Sequence, residues 1–233
     1  MDPTASIALA AGAAWASGLN VYAVILLLGV LGNTGYMTLP TDLEIVMSPV
    51  VMIAAGFMYC VEFFADKTPG IDTGWDAIHT FIRVPAGAML AVGAMGEMQP
   101  AMQMGAFLIG GGLAATSHTT KAATRVMLNT SPEPFTNWTA SLTEDIAVVG
   151  AMWAALNHPV IFLVVLAVVV LVMIWVIPKL WRGVKHVYRM VKRFFGGDSI
   201  ETPETNPEAA EQILAPSLDG VNPKALGNRK PRQ

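Results

Sequence analysis

The feature that most constrains this chain is a series of long apolar runs that carry ionisable residues inside them. Between Glu62 and Asp145 stand Glu62, Asp66, Lys67, Asp72, Asp76, His79, Arg83, His118, Lys121, Arg125, Glu133, Glu144 and Asp145. A charge within a membrane is costly, so such residues face a bundle interior or an aqueous cavity and mark a function. Hydrophobic residues make up 54% of the chain and charged residues 13%, against about 25% charged in a typical soluble domain. The composition therefore points to the bilayer.

A membrane-crossing helix needs about 20 apolar residues, and six runs approach that length. They lie within Ile7–Leu31 (interrupted by Ser17-Gly18-Leu19-Asn20), Ile45–Phe64, Trp75–Gly96, Met102–Met127, Trp138–Leu156 and Val160–Ile177. The expected fold is an all-α, polytopic membrane helix bundle of about six spans. Met98-Gln99-Pro100 and Asn157-His158-Pro159 read as tight helix–helix turns, since proline suits a helix start. Pro85 predicts a kink in the third span. Three regions result: a transmembrane bundle over 1–178, a basic amphipathic juxtamembrane helix over 179–196, and a disordered cytoplasmic tail over 197–233, rich in Pro, Glu, Asn and Ser.

Lys and Arg bias loops toward the cytoplasm. The segment Lys179–Phe195 holds Lys179, Arg182, Lys185, Arg189, Lys192 and Arg193, whereas the connections 35–44, 97–100 and 157–159 hold no Lys or Arg. Six spans then put both termini and the loops near Gly70 and Pro132 in the cytoplasm. The basic stretch interleaves its charges with Trp181, Val184, Tyr188 and Val191, as a helix on an anionic lipid surface would. A plain stop-transfer anchor that merely fixes orientation is the favoured explanation over a lipid-specific or regulatory site. The N-terminus, without a basic segment ahead of its apolar stretch, does not read as a cleaved signal peptide. The single cysteine, Cys60, permits no internal disulfide and reads as a small core residue.

A shift of 63 residues superposes Pro69 on Pro132, Thr73 on Thr136 and Trp75 on Trp138. Both units read as helix, proline loop, helix, with Thr73 or Thr136 placed to cap the returning helix. Tandem repeats with a site at their interface are one transporter architecture. Interfacial anchoring by Trp explains the same residues without repetition.

Spacing decides whether the charges converge. Asp76, His79 and Arg83 share one helix face, as do His118, Lys121, Arg125 and Asn129, and Glu62 pairs with Asp66 at i, i+4. At about 1.5 Å per residue, Arg83, Lys121 and Glu144 lie at similar depth. The expected pairs are Glu62 with Arg83, and Glu144 or Asp145 with Lys121 or Arg125. Either these are structural salt bridges and caps, as Asp72, Glu133 and Asn137 suggest, or they line a cytoplasm-facing pocket. Buried pairs seldom add stability over apolar packing, which favours a role.

Enzyme motifs are absent: no Gly-x-Ser-x-Gly elbow, no His-Glu-x-x-His, no phosphate loop and no dinucleotide fingerprint. Asp66, Asp72, Asp76 and His79 offer metal-ligand chemistry, yet none has a recognised spacing. No cofactor and no nucleic-acid partner is expected. The Met-rich stretch Met89–Met104 reads as adaptable packing.

The blocks Ser17-Gly18-Leu19-Asn20-Val21-Tyr22, Glu62-Phe63-Phe64-Ala65-Asp66-Lys67-Thr68-Pro69-Gly70-Ile71-Asp72, Trp75-Asp76-Ala77-Ile78-His79 and Asn129-Thr130-Ser131-Pro132-Glu133-Pro134 resemble a bacterial family of integral membrane proteins catalogued as a domain of unknown function. The resemblance covers about residues 10–180. It implies a multi-pass protein of the bacterial inner membrane and no particular activity. The leading functional expectation is transport of a small ion, anionic solute or lipid head group (as channel, transporter or head-group translocator). Lys121, Arg125 and Arg83 would hold the anion, and Glu62, Glu144 and Asp145 would pair with them when unloaded. The alternatives are a membrane-embedded metal-dependent enzyme acting on a lipid, and a non-catalytic scaffold subunit. Anionic membrane lipids are expected partners, and a homo-oligomer is compatible with all three.

Overall fold

Among the described residues, the first helix is apolar on every side, and such a helix belongs in the centre of a bundle. The computed structural model describes residues 2–68, 70–130 and 134–195, all helix and connecting loop with no strand. Helix α1 (Pro3–Asn33) is surrounded by α2 (Pro49–Ala65), α3 (Ile71–Met95), α4 (Pro100–Leu128) and α5 (Pro134–Asn157). A 3₁₀ helix, Thr41–Met47, precedes α2, and α6 (Pro159–Phe195) closes the described chain. The bundle comprises Met1–Arg189; from Met190 a second unit begins, of which 190–195 are described as the end of α6. Pro69, Pro132, Glu133 and the expected tail lie outside the described residues, as does the side chain of Arg193.

Proline sets most of the helix starts. Pro3, Pro49, Pro100, Pro134 and Pro159 each open a helix, where the missing N–H costs nothing and φ is already helical. Helix α3 instead follows Gly70, whose φ of 86° suits glycine. It begins at Ile71, ahead of the expected start at Trp75, and Thr73 is not its cap. Asp72 does that work: its Oδ1 accepts from the backbone N–H of Gly70 (2.9 Å) and of Thr73 (2.6 Å). Thr136 likewise lies inside α5, two residues past its first. Helix α3 runs on through Pro85, and α6 through Pro178, so the basic segment is the continuation of the last apolar helix.

Small residues bring α1, α3 and α4 together, as they do between helices in lipid, where apolar surface alone gives no drive to associate. A Cβ on Gly87 would come within 2.6 Å of the Ala114 Cβ and 3.2 Å of the Ala14 carbonyl. One on Gly18 would overlap the Ser117 hydroxyl and the Ala114 carbonyl. Phe162 of α6 rests over Gly12, and Gly183 lies against Met127.

Outside, the polarity is inverted relative to a soluble protein. Val50, Ile53 and Phe57 on α2, Phe81 on α3, Leu108 on α4, Ile146 on α5 and Val164, Val168 and Leu171 on α6 are exposed. Glu62, Asp72, Arg83 and Arg125 are 0% exposed. Cys60 joins the exposed apolar face of α2, so it is not the core residue expected of it. Apolar outside and ionic inside is the arrangement that lipid imposes. By length and composition three helices are able to cross a membrane: α1, α3 and α6 as far as Met190. The 3₁₀ helix and α2, bent by 66°, make a fourth if they form one span. Helices α4 and α5, 29 and 24 residues long, are not apolar enough to qualify alone.

Candidate functional site

The site begins with a break in the central helix. Asn20 leaves helical geometry (φ −153°, ψ 96°) in the middle of α1. Its side chain caps the second half of that helix, as Oδ1 accepts from the Ala23 N–H at 2.9 Å. With that N–H taken, the Leu19 carbonyl has lost its helical donor, and the Lys121 ammonium of α4 supplies one at 3.0 Å. Asn20 Nδ2 reaches Asp145 of α5 at 3.4 Å. Both ends of the break are thus tied to charged residues on other helices. Non-helical backbone at membrane depth is tolerated where protein or a cavity satisfies it in this way.

Around Lys121 the charges predicted on separate helices converge. Its Nζ lies 2.7 Å from Asp66 Oδ2, 3.3 Å from Glu144 Oε2, 3.6 Å from Glu62 Oε1 and 3.9 Å from Asp76 Oδ1. Arg83 donates to Glu62 Oε1 at 2.9 Å and to Asp76 Oδ1 at 2.8 Å. Arg125 donates to Glu144 Oε2 at 2.7 Å, and to the backbone carbonyls of Asp66 (2.8 Å) and Asn137 (3.2 Å). The expected Glu62–Arg83 pair forms. Of the adjacent acids on α5, Glu144 pairs with both Lys121 and Arg125, whereas Asp145 turns to Asn20.

The two buried histidines are held by different partners. Arg83 Nη1 donates to His118 Nδ1 at 3.0 Å, so the His118 proton sits on Nε2 and points to the Thr80 hydroxyl at 2.7 Å. Thr80 in turn donates to the Asp76 carbonyl at 3.0 Å. His79 instead donates from Nδ1 to the Trp75 carbonyl (2.9 Å), shares a hydrogen bond between Nε2 and the Tyr22 hydroxyl (3.1 Å), and stacks on the Trp75 ring with centroids 4.2 Å apart. It is buried beside the network without an ion pair in it.

The remaining candidates brace the loop ends. Asn129 donates to Asp72 Oδ1 (2.7 Å) and accepts from Asn137 Nδ2 (2.8 Å), which stitches the start of α3 to the start of α5. Lys67 lies 2.9 Å from the centre of the Phe63 ring and donates to Ser141 at 3.2 Å. Burial pulls its ammonium below the ordinary lysine value, opposed by Asp145 and Asp66. Among the described residues no group of three His, Cys, Asp or Glu side chains is arranged to hold a metal. The exposed Lys179, Arg182, Lys185, Arg189 and Lys192 follow one another along the end of α6, with Lys179 2.9 Å above the Trp175 ring.

Sequence reasoning missed Asn20, Tyr22, Thr80 and Ser141 as partners of the network. For Asn20 the signal was present: Ser-Gly-Leu-Asn interrupts an apolar run at mid-length.

These features define an all-α protein of membrane type, built on a broken central helix with a buried ionic network at the break. The chain matches the family described as Domain of unknown function (DUF4126) over residues 7–179, and it belongs to that family. No protein of curated function and no solved structure matches it.

Proposed function

We propose that this is a transport protein of the bacterial inner membrane, carrying a small anionic solute or ion through the network at the α1 break. The observation that carries this reading is the discontinuous helix: its freed Leu19 carbonyl and its Asn20 cap are held by Lys121 and Asp145. Transporters build midplane sites from such interrupted helices. Arg83, Lys121 and Arg125 are the anion-binding groups, and Asp66, Asp76 and Glu144 are their counter-ions in the unloaded state, with Glu62 as a further acidic partner. A cleft of about 240 Å³ between α1, α2 and α5 reaches Asp145 and Tyr59 and is the proposed way in.

In this reading all six helices lie in the bilayer, since α4 and α5 present their charges to the interior. Both termini are cytoplasmic, and the basic end of α6 rests against anionic lipid. Two observations support a tandem repeat. Helices α2 and α4 end at Ala65 and Leu128, and α3 and α5 begin at Ile71 and Pro134, each pair 63 residues apart. Topology is tested by cysteine labelling on a Cys60-free background. Thr38 should label from the periplasm and Gly70 from the cytoplasm; periplasmic labelling at Gly70 would overturn the span count.

Transport is tested in proteoliposomes with phosphate, sulfate and chloride as probes. Flux above that of protein-free vesicles is expected for at least one, together with a matching thermal stabilisation, about 2.7 kcal/mol at a hundredfold excess over Kd. Folded, reconstituted protein that passes none of them would defeat this reading. A scaffold role is the second reading, favoured by the tight pairing of Arg83 and Arg125, both at 0% exposure, with carboxylates. In that case flux is absent and chelators change nothing. The enzyme reading needs Asp66, Asp72 and Asp76 free to bind a metal. Asp66 and Asp76 instead face Lys121 and Arg83, and Asp72 faces backbone N–H groups and Asn129.

A further inference from the structure

The ionic network is short of one positive charge. Its contacts join four carboxylates (Glu62, Asp66, Asp76 and Glu144) to three cations, Arg83, Lys121 and Arg125. Adding the flanking Lys67 and Asp145 adds one charge of each sign and leaves the imbalance as it was. A net negative charge in a water-poor interior carries a heavy desolvation cost unless something neutralises it.

All four carboxylates engage their cations through one oxygen only, and in three of them the other oxygen is left over. Glu62 Oε2, Asp66 Oδ1 and Asp76 Oδ2 are buried without a hydrogen-bond partner. The environments of the three differ. Asp76 sits in the second turn of α3 with its Oδ1 2.8 Å from Arg83. Asp66 closes α2 with the shortest contact to Lys121, at 2.7 Å, and a second to Arg125 at 3.7 Å. Glu62 is on the last turn of α2 and is 0% exposed; the dipole disfavours an anion there, as it does at the Asp66 cap, but Glu62 lies 3.6 Å from Lys121 where Asp66 lies 2.7 Å. A single oxygen, Oε1, carries both of its cation contacts.

We propose that Glu62 is a proton-binding site, holding at neutral pH the one proton that balances the network. The groups facing it are Arg83 and Asp76 from α3, Lys121 from α4, Asp66 one turn further along its own segment, Glu144 of α5 across Lys121, and the Tyr22 phenol of α1. A proton needs only one free oxygen, which Oε2 supplies. A metal ion would need several converging ligands, and among the described residues no such group of acidic, His or Cys side chains exists. With Glu62 neutral, Arg83 keeps a single charged partner, Asp76. Loss of the proton returns Glu62 as a competing anion. That this couples proton movement to anion binding rests on the transport reading above; the proton itself does not.

The test is infrared absorption of the purified full chain at neutral pH in an ester-free maltoside detergent. The carbonyl stretch of a neutral carboxylic acid should be present, shift to lower frequency when glutamates carry ¹³C carboxyl groups, and disappear in Glu62→Gln. It should persist in Glu97→Gln, at an exposed position outside the network. If Glu62→Gln does not fold, the isotope shift in the wild-type chain still decides between glutamate and aspartate. Absence of the band, a shift with labelled aspartate alone, or survival of the band in Glu62→Gln would each overturn the proposal. Anion flux without the band would reject the proton and keep transport. The band without flux would do the reverse.

Discussion

Lys121→Ala is expected to destabilise the folded protein by about 3–5 kcal/mol, because it strips an ammonium from among several buried carboxylates. Asp66, Glu144 and Glu62 all lie within 3.6 Å of Nζ. The Leu19 carbonyl at the α1 break would also lose its donor, a further unsatisfied buried group. Removing a charged partner as well should return part of that loss, and Asp66, the nearest carboxylate, should return most. The measurement is a double-mutant cycle on unfolding in detergent with Lys121→Ala, Asp66→Ala and the pair. A coupling energy well above the scatter of about 0.3–0.5 kcal/mol seen for independent sites is expected. Strictly additive losses with Asp66, Glu144 and Glu62 alike would show that these contacts do not carry the energy assigned to them.

The residues of this network were legible in the sequence because helical spacing is rigid. Positions three and seven apart must share a face, so Asp76 with Arg83, and His118 with Lys121 and Arg125, were bound to project together once their segments were helices. Depth came from the rise per residue. The choice between Glu144 and Asp145 was not legible. Neighbouring residues point about 100° apart, and which one faces Lys121 depends on how α5 is rotated, which its packing on α1 decides. Backbone acceptors were equally hidden. The carbonyls of Leu19, Asp66 and Asn137 hold Lys121 and Arg125, and no side-chain pattern announces them. The helix starts were misjudged for a local reason: Thr73 looked like a cap, but Asp72 takes the Gly70 and Thr73 N–H groups itself. His79 shares the expected face of α3 yet is drawn aside by Trp75 and Tyr22.

Gly18 presents the sharpest steric constraint near the site. It lies two residues before the Asn20 break and packs directly on α4, where an added Cβ would overlap the Ala114 carbonyl and the Ser117 hydroxyl. A flexible side chain could swing away, but a backbone carbonyl inside a helix cannot, so α1 and α4 would have to part. Parting them would also pull Lys121 from the Leu19 carbonyl and Ser117 from the Trp15 carbonyl, contacts of 3.0 and 2.7 Å. Gly18→Ala should therefore cost at least the 1–3 kcal/mol or so typical of overpacking, and Gly18→Leu should leave little folded protein. The comparison is Gly112→Ala on the exposed face of α4, where a Cβ meets nothing within 4 Å. There the exchange should be neutral or stabilising by up to about 1 kcal/mol, through helix propensity alone. Thermal unfolding monitored in detergent, with expression level as a second readout, measures all three. Gly18→Ala with the stability of Gly112→Ala would mean that α1 and α4 do not approach as closely as this packing requires.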